Sequence, residues 1–156
     1  MTQPADVART VLAGVSRLIA GGLTEQEQQD QVDLLANCYA EQTDVRHPFR
    51  PLGDTPLRSR AELRAHFAGG PGRTLGVESF APAHVVVHET ADPEVVVMEF
   101  RYVGSAHGRS FDLPCIFVTR VRDGLIVESR DYSDHVAMAR AFGRLDDLAG
   151  ALAASA

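Results

Sequence analysis

The chain has 156 residues, of which 45% are hydrophobic and 23% charged, and this is the size and composition of one globular domain with its own core. Its formal net charge of -6 argues against nucleic acid or an anionic membrane as a partner, and no apolar run reaches the length that spans a bilayer. The first residues lack the basic start and apolar run of a signal peptide, so we expect a single cytoplasmic domain over residues 1–156. All 15 Lys-or-Arg positions are arginine, which excludes chemistry through a lysine Schiff base.

The first half of the chain has the hydrophobic pattern of helices. Apolar residues at helical spacing over Val7–Ile19 predict a first helix, which the glycine pair 21–22 ends. Thr24 and Glu27 fit a capping box that opens a second helix, which we expect to continue to about Ala40.

One short strand and a third helix are predicted next. The strand runs through His47 and stops at the following proline, which cannot donate a ladder hydrogen bond. After the loop Arg50–Leu57, Ser59 and Glu62 form a second capping box, and the glycine-rich segment 69–72 ends the helix that this box opens.

The second half of the chain has the pattern of long strands. We predict strands at about 76–89, Glu94–Gly104, Ser110–Arg122 and Leu125–Tyr132, with short helices at Val136–Phe142 and Leu145–Leu152. The dipeptide Asp123-Gly124 is a strong signal for a hairpin turn between the last two strands. Helices followed by strands predict an α+β fold, with a curved antiparallel sheet closed by the N-terminal helices into a cone with a central pocket.

Two ionisable side chains fall on strand faces that are otherwise apolar. Asp131 alternates in step with Leu125 and Val127, and His47 alternates in step with Val45. Burying such groups is costly unless they are paired or change their pKa, so the two residues are candidates for a proton-transfer site. The structural alternatives are that Asp131 caps the following helix or pairs with an arginine, and that His47 is a hydrogen-bonded core residue.

Three stretches resemble a known superfamily: YAEQTDVRHPF at 39–49, SRAELRAHF at 59–67 and GLIVESRDYSDHVAM at 124–138. The chain resembles the nuclear transport factor 2-like superfamily over roughly Val7–Phe142, and within it the SnoaL-like branch of polyketide cyclases, ketosteroid isomerases and limonene epoxide hydrolases. The resemblance implies the cone fold and a homodimer formed through the outer face of the sheet.

The resemblance also implies roles for the two ionisable residues. It places an acid/base or water-positioning residue at His47, just before the proline of the first strand, and a carboxylate at Asp131, near the end of the last strand. Two further expectations of the family are not met. The inward arginine and aspartate of the epoxide hydrolases would fall at Met98 and Phe100, and the protonated aspartate of the ketosteroid isomerases would fall near Phe117.

The alternation of the strands predicts an apolar wall that holds a flat hydrophobic ligand, with plain core packing as the alternative. Alternation assigns to this wall Met98, Phe100, Tyr102, Leu113, Cys115 and Phe117, and we add Phe49 and Phe67. Tyr39, at the end of the second helix, completes the wall as a possible hydrogen-bond donor, with core packing as the favoured alternative. Glu99 and Arg101 have the opposite parity and would form a surface ion pair or a dimer contact.

The remaining histidines do not predict a metal centre. His84 and His88 share a strand face without a third ligand at metal spacing, so we expect no metal and no other cofactor. His66, His107 and His135 are interpreted as surface or loop residues.

These observations predict a cofactor-free acid/base enzyme of the isomerase, cyclase, dehydratase or epoxide hydrolase type, acting on a hydrophobic polycyclic or polyketide-like small molecule. The alternative is a non-catalytic member of the same superfamily that binds a small molecule or serves as a dimeric scaffold. An open pocket that exposes both ionisable side chains would favour catalysis, and a filled cone would favour the scaffold.

Overall fold

The computed structural model describes residues 2–69 and 76–156. In chain order its elements are α1 (Pro4–Ala20), α2 (Glu25–Ala36), β1 (Tyr39–Arg46), β2 (Leu57–Ser59), α3 (Arg60–Ala68), β3 (Val77–Glu89), β4 (Val95–Ala106), β5 (Arg109–Arg122), β6 (Leu125–Ser133), α4 (His135–Ala141) and α5 (Leu145–Ala154).

The helix boundaries follow the capping signals of the sequence. At the start of α2, the hydroxyl of Thr24 accepts the backbone N–H of Glu27 at 3.2 Å, and the Glu27 carboxylate accepts the backbone N–H of Thr24 at 2.8 Å, so the capping box is complete. At the start of α3, Ser59 accepts the N–H of Glu62, but the Glu62 carboxylate accepts the N–H of Arg58 instead. The glycine-rich segment predicted after α3 lies outside the described residues beyond Gly69.

The sheet has six strands in the order β2-β1-β6-β5-β4-β3. The last four strands pair antiparallel, as predicted, and Asp123 and Gly124 turn from β5 to β6 with φ angles of 52° and 76°. β1 joins the edge of this antiparallel part by pairing parallel to β6, so the whole curved sheet is mixed. The α+β fold is confirmed, and the parallel strand is an addition that the sequence did not indicate.

The second helix is shorter than predicted. It ends at Ala36, and Tyr39 is the first residue of β1 rather than the last turn of the helix. The short strand β2 was also not predicted. It begins at Leu57, where the predicted loop ends.

Helix α1 separates two hydrophobic clusters. Ala8 and Leu12 pack with the cluster formed by β3, β4 and β5, whereas Val7 and Val11 pack with the cluster formed by α2, α3, β1 and the β5–β6 turn region. Gly14 lets α2 approach closely, because a Cβ there would lie 2.6 Å from Leu35. Among the described residues no helix is long and apolar enough to cross a membrane.

Candidate active site

A cavity of about 240 Å³ lies where the two hydrophobic clusters meet, between α1, α3, α4 and the concave face of the sheet. Most of its wall is apolar, and a few ionisable side chains reach it. It is lined by Val11, Val15, Leu18, Ile19, Gln28, Tyr39, Val45, His47, Arg50, Leu57, Leu63, His66, Phe67, Tyr102, Phe117, Asp131, Ser133, His135 and Met138.

Asp131 reaches this cavity because of a β-bulge in β6. Ladder pairing joins Val121 to Ile126 and Arg120 to Glu128, so β6 contains one extra residue between these two pairs. The extra residue reverses the alternation, and Ile126, which is 1% exposed, faces the interior. The prediction that Asp131 shares its face with Leu125 and Val127 is therefore wrong, although Asp131 itself faces inward opposite Phe117.

His47 is brought to Asp131 by the parallel pairing of β1 with β6. In that register Arg46 lies beside Arg130, so the residue that follows β1 lies beside Asp131. The backbone N–H of His47 donates to the Asp54 carboxylate at 3.0 Å, which fixes the chain where the strand ends.

The two side chains face each other across a short gap. His47 Nε2 lies 3.9 Å from Asp131 Oδ2, which is too far for a hydrogen bond, and the side chains are 16% and 14% exposed. The Ser129 hydroxyl donates to Asp131 Oδ1 at 2.5 Å, which orients the carboxyl group and leaves Oδ2 towards His47. His47 Nδ1 lies 4.0 Å from the Asp54 carboxylate and has no hydrogen-bond partner within the described part of the chain.

Burial shifts both pKa values towards the neutral forms. It raises the pKa of Asp131 to about 7, against the opposing hydrogen bond from Ser129 and the charge of Arg130. Burial also lowers the pKa of His47 to about 4, and the charge of Arg50 adds to this effect. Near pH 7 the imidazole is therefore neutral, and the carboxyl group exists in both protonation states, as a proton-transfer group requires.

The structural alternatives for Asp131 do not describe its surroundings. The residue that caps α4 is Asp134, whose carboxylate accepts the N–H of Ala137 at 2.8 Å. Arg130 points to the outer face, where it pairs with Glu128 and Asp44. Asp131 itself forms no ion pair with an arginine among the described residues.

Two tyrosine hydroxyls add polar groups to the cavity wall. Tyr39 and Tyr102 are each 4% exposed, and burial together with the charge of Asp131 raises both phenol pKa values well above their usual range. Both phenols therefore stay protonated at neutral pH. Neither hydroxyl has a hydrogen-bond partner in the described ranges, so both are available as donors.

The structure places four of the nine predicted wall residues at the cavity: Tyr39, Phe67, Tyr102 and Phe117. Three others, Met98, Phe100 and Leu113, are at most 2% exposed and pack inside the core, so their assignment to the wall is wrong. They share the inward parity of Tyr102, but they belong to the core cluster that also contains Ala8, Leu12 and Phe80.

Phe49 and Cys115 also lie away from the central cavity. The backbone turns after β1, where Arg50 N–H donates to the carbonyl of His47 at 3.1 Å, and this turn directs Phe49 outward. Phe49 is 64% exposed and packs edge-on against Tyr132. Cys115 is 3% exposed, and burial raises its thiol pKa to about 11, so it is not a thiolate nucleophile.

Sequence patterns missed four polar residues of the site. His66 on α3 and His135 at the start of α4 line the cavity, although both were interpreted as surface or loop residues. Arg50 also lines the cavity, and Asp54 holds His47, both from the loop between β1 and β2. The loop residues Arg50 and Asp54 gave no signal in the sequence, because loops have no periodicity.

Glu99 and Arg101 lie on the outer face, as their parity indicates, but they do not pair with each other. Glu99 pairs with His88 of β3 at 2.6 Å, and Arg101 pairs with Asp112 of β5. Over residues 2–69 and 76–156, no group of three or more metal-ligating side chains is arranged to hold an ion.

Comparison with known proteins finds the same fold in several solved structures. A sequence profile of the SnoaL-like domain matches residues 22–129. A proposed isomerase from Bacillus subtilis superposes with a TM-score of 0.68 at 20% identity, over 92% of this chain and 97% of that chain. IdmH, a proposed polyketide cyclase from Streptomyces antibioticus, superposes with a TM-score of 0.64 at 20% identity, over 91% and 99%. No curated protein matches the sequence at a significant level.

Proposed function

Because the chain belongs to the SnoaL-like domain family, we propose that it is a cofactor-free acid/base enzyme that acts on a hydrophobic, polycyclic or polyketide-like small molecule. The observation that carries this proposal is the Asp131 carboxyl group, with a pKa of about 7, facing a neutral His47 inside an apolar cavity. The neighbouring folds named as isomerase and polyketide cyclase support the same class of chemistry.

The proposed reaction is a proton transfer next to a carbonyl group. Asp131 in its carboxylate form takes a proton from the carbon beside the carbonyl, and the acid so formed returns the proton to a different atom of the product. A phenol of Tyr39 or Tyr102 donates a hydrogen bond to the enolate oxygen that develops. His47 is the second proton carrier, with one ring nitrogen that accepts and one that donates.

Catalysed hydrogen exchange of a ketone tests this proposal without knowledge of the natural substrate. The probe is 1-tetralone in D₂O, with loss of its C2 protons followed by NMR. We expect the protein to accelerate exchange, and Asp131→Asn to reduce this acceleration by about 10²–10⁴-fold. The matched control is Asp112→Asn, which removes a carboxylate on the outer face. Exchange that is equally fast with both variants would contradict the proposal.

The second candidate is a protein that binds a small molecule without reaction. It is favoured by Met98 and Phe100, which are buried core residues at the positions where the resemblance implies charged partners in the epoxide hydrolases. The same experiment separates the two functions, because binding of 1-tetralone without catalysed exchange would support the binding protein.

A further inference from the structure

Arg50 is a charged residue on the wall of a largely apolar cavity. Its guanidinium forms no hydrogen bond or ion pair with any residue that the structure describes. The nearest acid of its loop, Asp54, is engaged with the backbone N–H of His47. Arg50 is exposed to solvent and also lines the cavity, so its guanidinium is free to bind a charged ligand there.

Three histidines, His47, His66 and His135, line the same cavity as Arg50. The charge of Arg50 also contributes to the lowered pKa of each of them. Their neutral forms can each donate one hydrogen bond. His135 Nε2 is buried and has no partner within the described residues, although its ring lines the cavity. The cavity wall thus carries hydrogen-bond donors on Arg50 and the histidines, and Asp131 is the one acidic side chain among the lining residues.

We propose that the ligand of this cavity carries a carboxylate group, which Arg50 binds, and an apolar body, which extends from Arg50 towards Asp131. The proposal rests on the cavity being the ligand site of the proposed function. The planar guanidinium matches a carboxylate with two parallel hydrogen bonds, and His135 Nε2 can supply a further donor. The ligand is thereby assigned to the class of small hydrophobic carboxylic acids.

The size of the cavity limits the apolar body. A volume of about 240 Å³ lies below the range of roughly 300–1,000 Å³ that is usual for ligand pockets. The apolar lining from α1 and α3, with Phe117 on the opposite side, suits one or two fused rings. A bicyclic aromatic acid is therefore a fitting probe.

Calorimetric titration with 2-naphthoate and 2-naphthamide at pH 6 tests the inference. The two probes have nearly the same shape and differ in charge, and at this pH Asp131 is mostly protonated and does not repel the acid. We expect naphthoate to bind about 10- to 100-fold more tightly than naphthamide, as a charged hydrogen bond of roughly 1.5–3 kcal/mol implies. Arg50→Gln should abolish this preference, so that the two probes bind with similar affinity.

The control variant is Arg140→Gln, which removes an exposed arginine of α4 outside the cavity wall and should keep the preference. Equal binding of both probes to the unaltered protein, or a preference that survives Arg50→Gln, would overturn the carboxylate inference alone. Failure of both probes to bind would contradict the small-molecule function as well. Binding of naphthamide to Arg50→Gln also shows that the variant is folded.

Discussion

Asp131 and His47 respond to the same surroundings in opposite ways. The folded state holds the Asp131 proton up to about pH 7, whereas the unfolded chain releases it near 3.8, so this group makes the protein less stable as the pH rises through that window. In the folded state His47 stays neutral down to about pH 4, whereas in the unfolded chain it becomes protonated near pH 6.5. That group makes the protein more stable as the pH rises. The two effects offset each other between about pH 4 and 6.5.

Single substitutions should separate these two opposing effects of pH on the free energy of unfolding. In Asp131→Asn only the histidine effect remains, so the free energy of unfolding should rise relative to wild type between pH 4.5 and 6.5, by up to about 1.4 kcal/mol per pH unit. In His47→Gln only the carboxyl effect remains, and the free energy of unfolding should fall over the same range. Urea unfolding at several pH values measures both slopes, and parallel curves for the three proteins would refute the burial of the pair.

At pH 8 the Asp131→Asn protein should be more stable than wild type. Wild type then holds a buried carboxylate, whereas the amide is neutral and its oxygen can still accept the hydrogen bond from Ser129. Greater stability combined with lost exchange activity is the signature of a group kept for function. A variant that melts earlier and still catalyses exchange would show that Asp131 is structural.

The hydrogen bond from Ser129 at 2.5 Å lowers the pKa of Asp131 against the larger, raising effect of burial. Removing this donor by Ser129→Ala should raise the pKa of Asp131 above 7, and the rise of exchange activity with pH should shift to higher pH. The control is Ser133→Ala, because Ser133 also lines the cavity but its hydroxyl donates to the Cys115 sulfur. Identical pH–rate profiles for wild type and Ser129→Ala would show that Ser129 does not tune the base.

At the level of elements, the sequence predicted local structure well and strand registers poorly. Hydrophobic spacing, the helix N-caps at Thr24 and Ser59 and the Asp123-Gly124 turn are local signals, and the starts of α2 and α3 and the turn lie where predicted. The bulge at Val127 is not a local feature, because it depends on how β6 pairs with β5. The sequence of β6 contains no residue that predicts it. Alternation with Leu125 and Val127 predicted that Asp131 faces inward. Asp131 does face inward, but the bulge places it on the face of Ile126 instead.

The contact between His47 and Asp131 could not be derived from alternation either. It depends on β1 lying parallel to β6, at a separation of more than 80 residues in sequence, and on a register shift between Tyr39 and Asp44. Pattern analysis says which face a residue occupies within one strand, but not which strand lies beside it. The loop residues Arg50 and Asp54 escaped prediction because loops have no periodicity.

Helix α5 is the element that the fold needs least. None of its residues is buried, and Leu145 and Leu152 are 37% and 39% exposed. A protein that ends at Arg144 should therefore lose less than about 1 kcal/mol of unfolding free energy, as is usual for changes away from the core. A protein that ends at Ser133 also loses α4, whose Met138 lines the cavity, and should be much less stable. Equal losses in denaturant unfolding would contradict this ranking.

Across the whole molecule, the site depends on both hydrophobic clusters at once. Tyr102 and Phe117 belong to the cluster of the long hairpins, whereas Tyr39, Val45 and Phe67 belong to the cluster of the short helices. The cavity is the gap that remains where α1 holds the two clusters together. The arrangement of His47 and Asp131 therefore depends on the global fold, and local opening of either half would separate the two side chains.

The outer face of the sheet is where we expect a second copy of the chain to bind. The outer face of β4 carries Val95, Val97 and Val103 beside Glu99 and Arg101, and the neighbouring strands expose Val86 and Ile116 on this face, which are 49% and 42% accessible. Exposed apolar side chains rimmed by charged residues are typical of a protein–protein contact surface. Sedimentation velocity at micromolar concentration should show a dimer, and Ile116→Asp should convert it to a monomer that keeps its fold.

Leu34→Asp is the matched control, since Leu34 is 48% exposed on α2 and its substitution should leave the dimer intact. A monomeric wild type, or a dimer that tolerates Ile116→Asp but not Leu34→Asp, would show that the sheet face is not the interface.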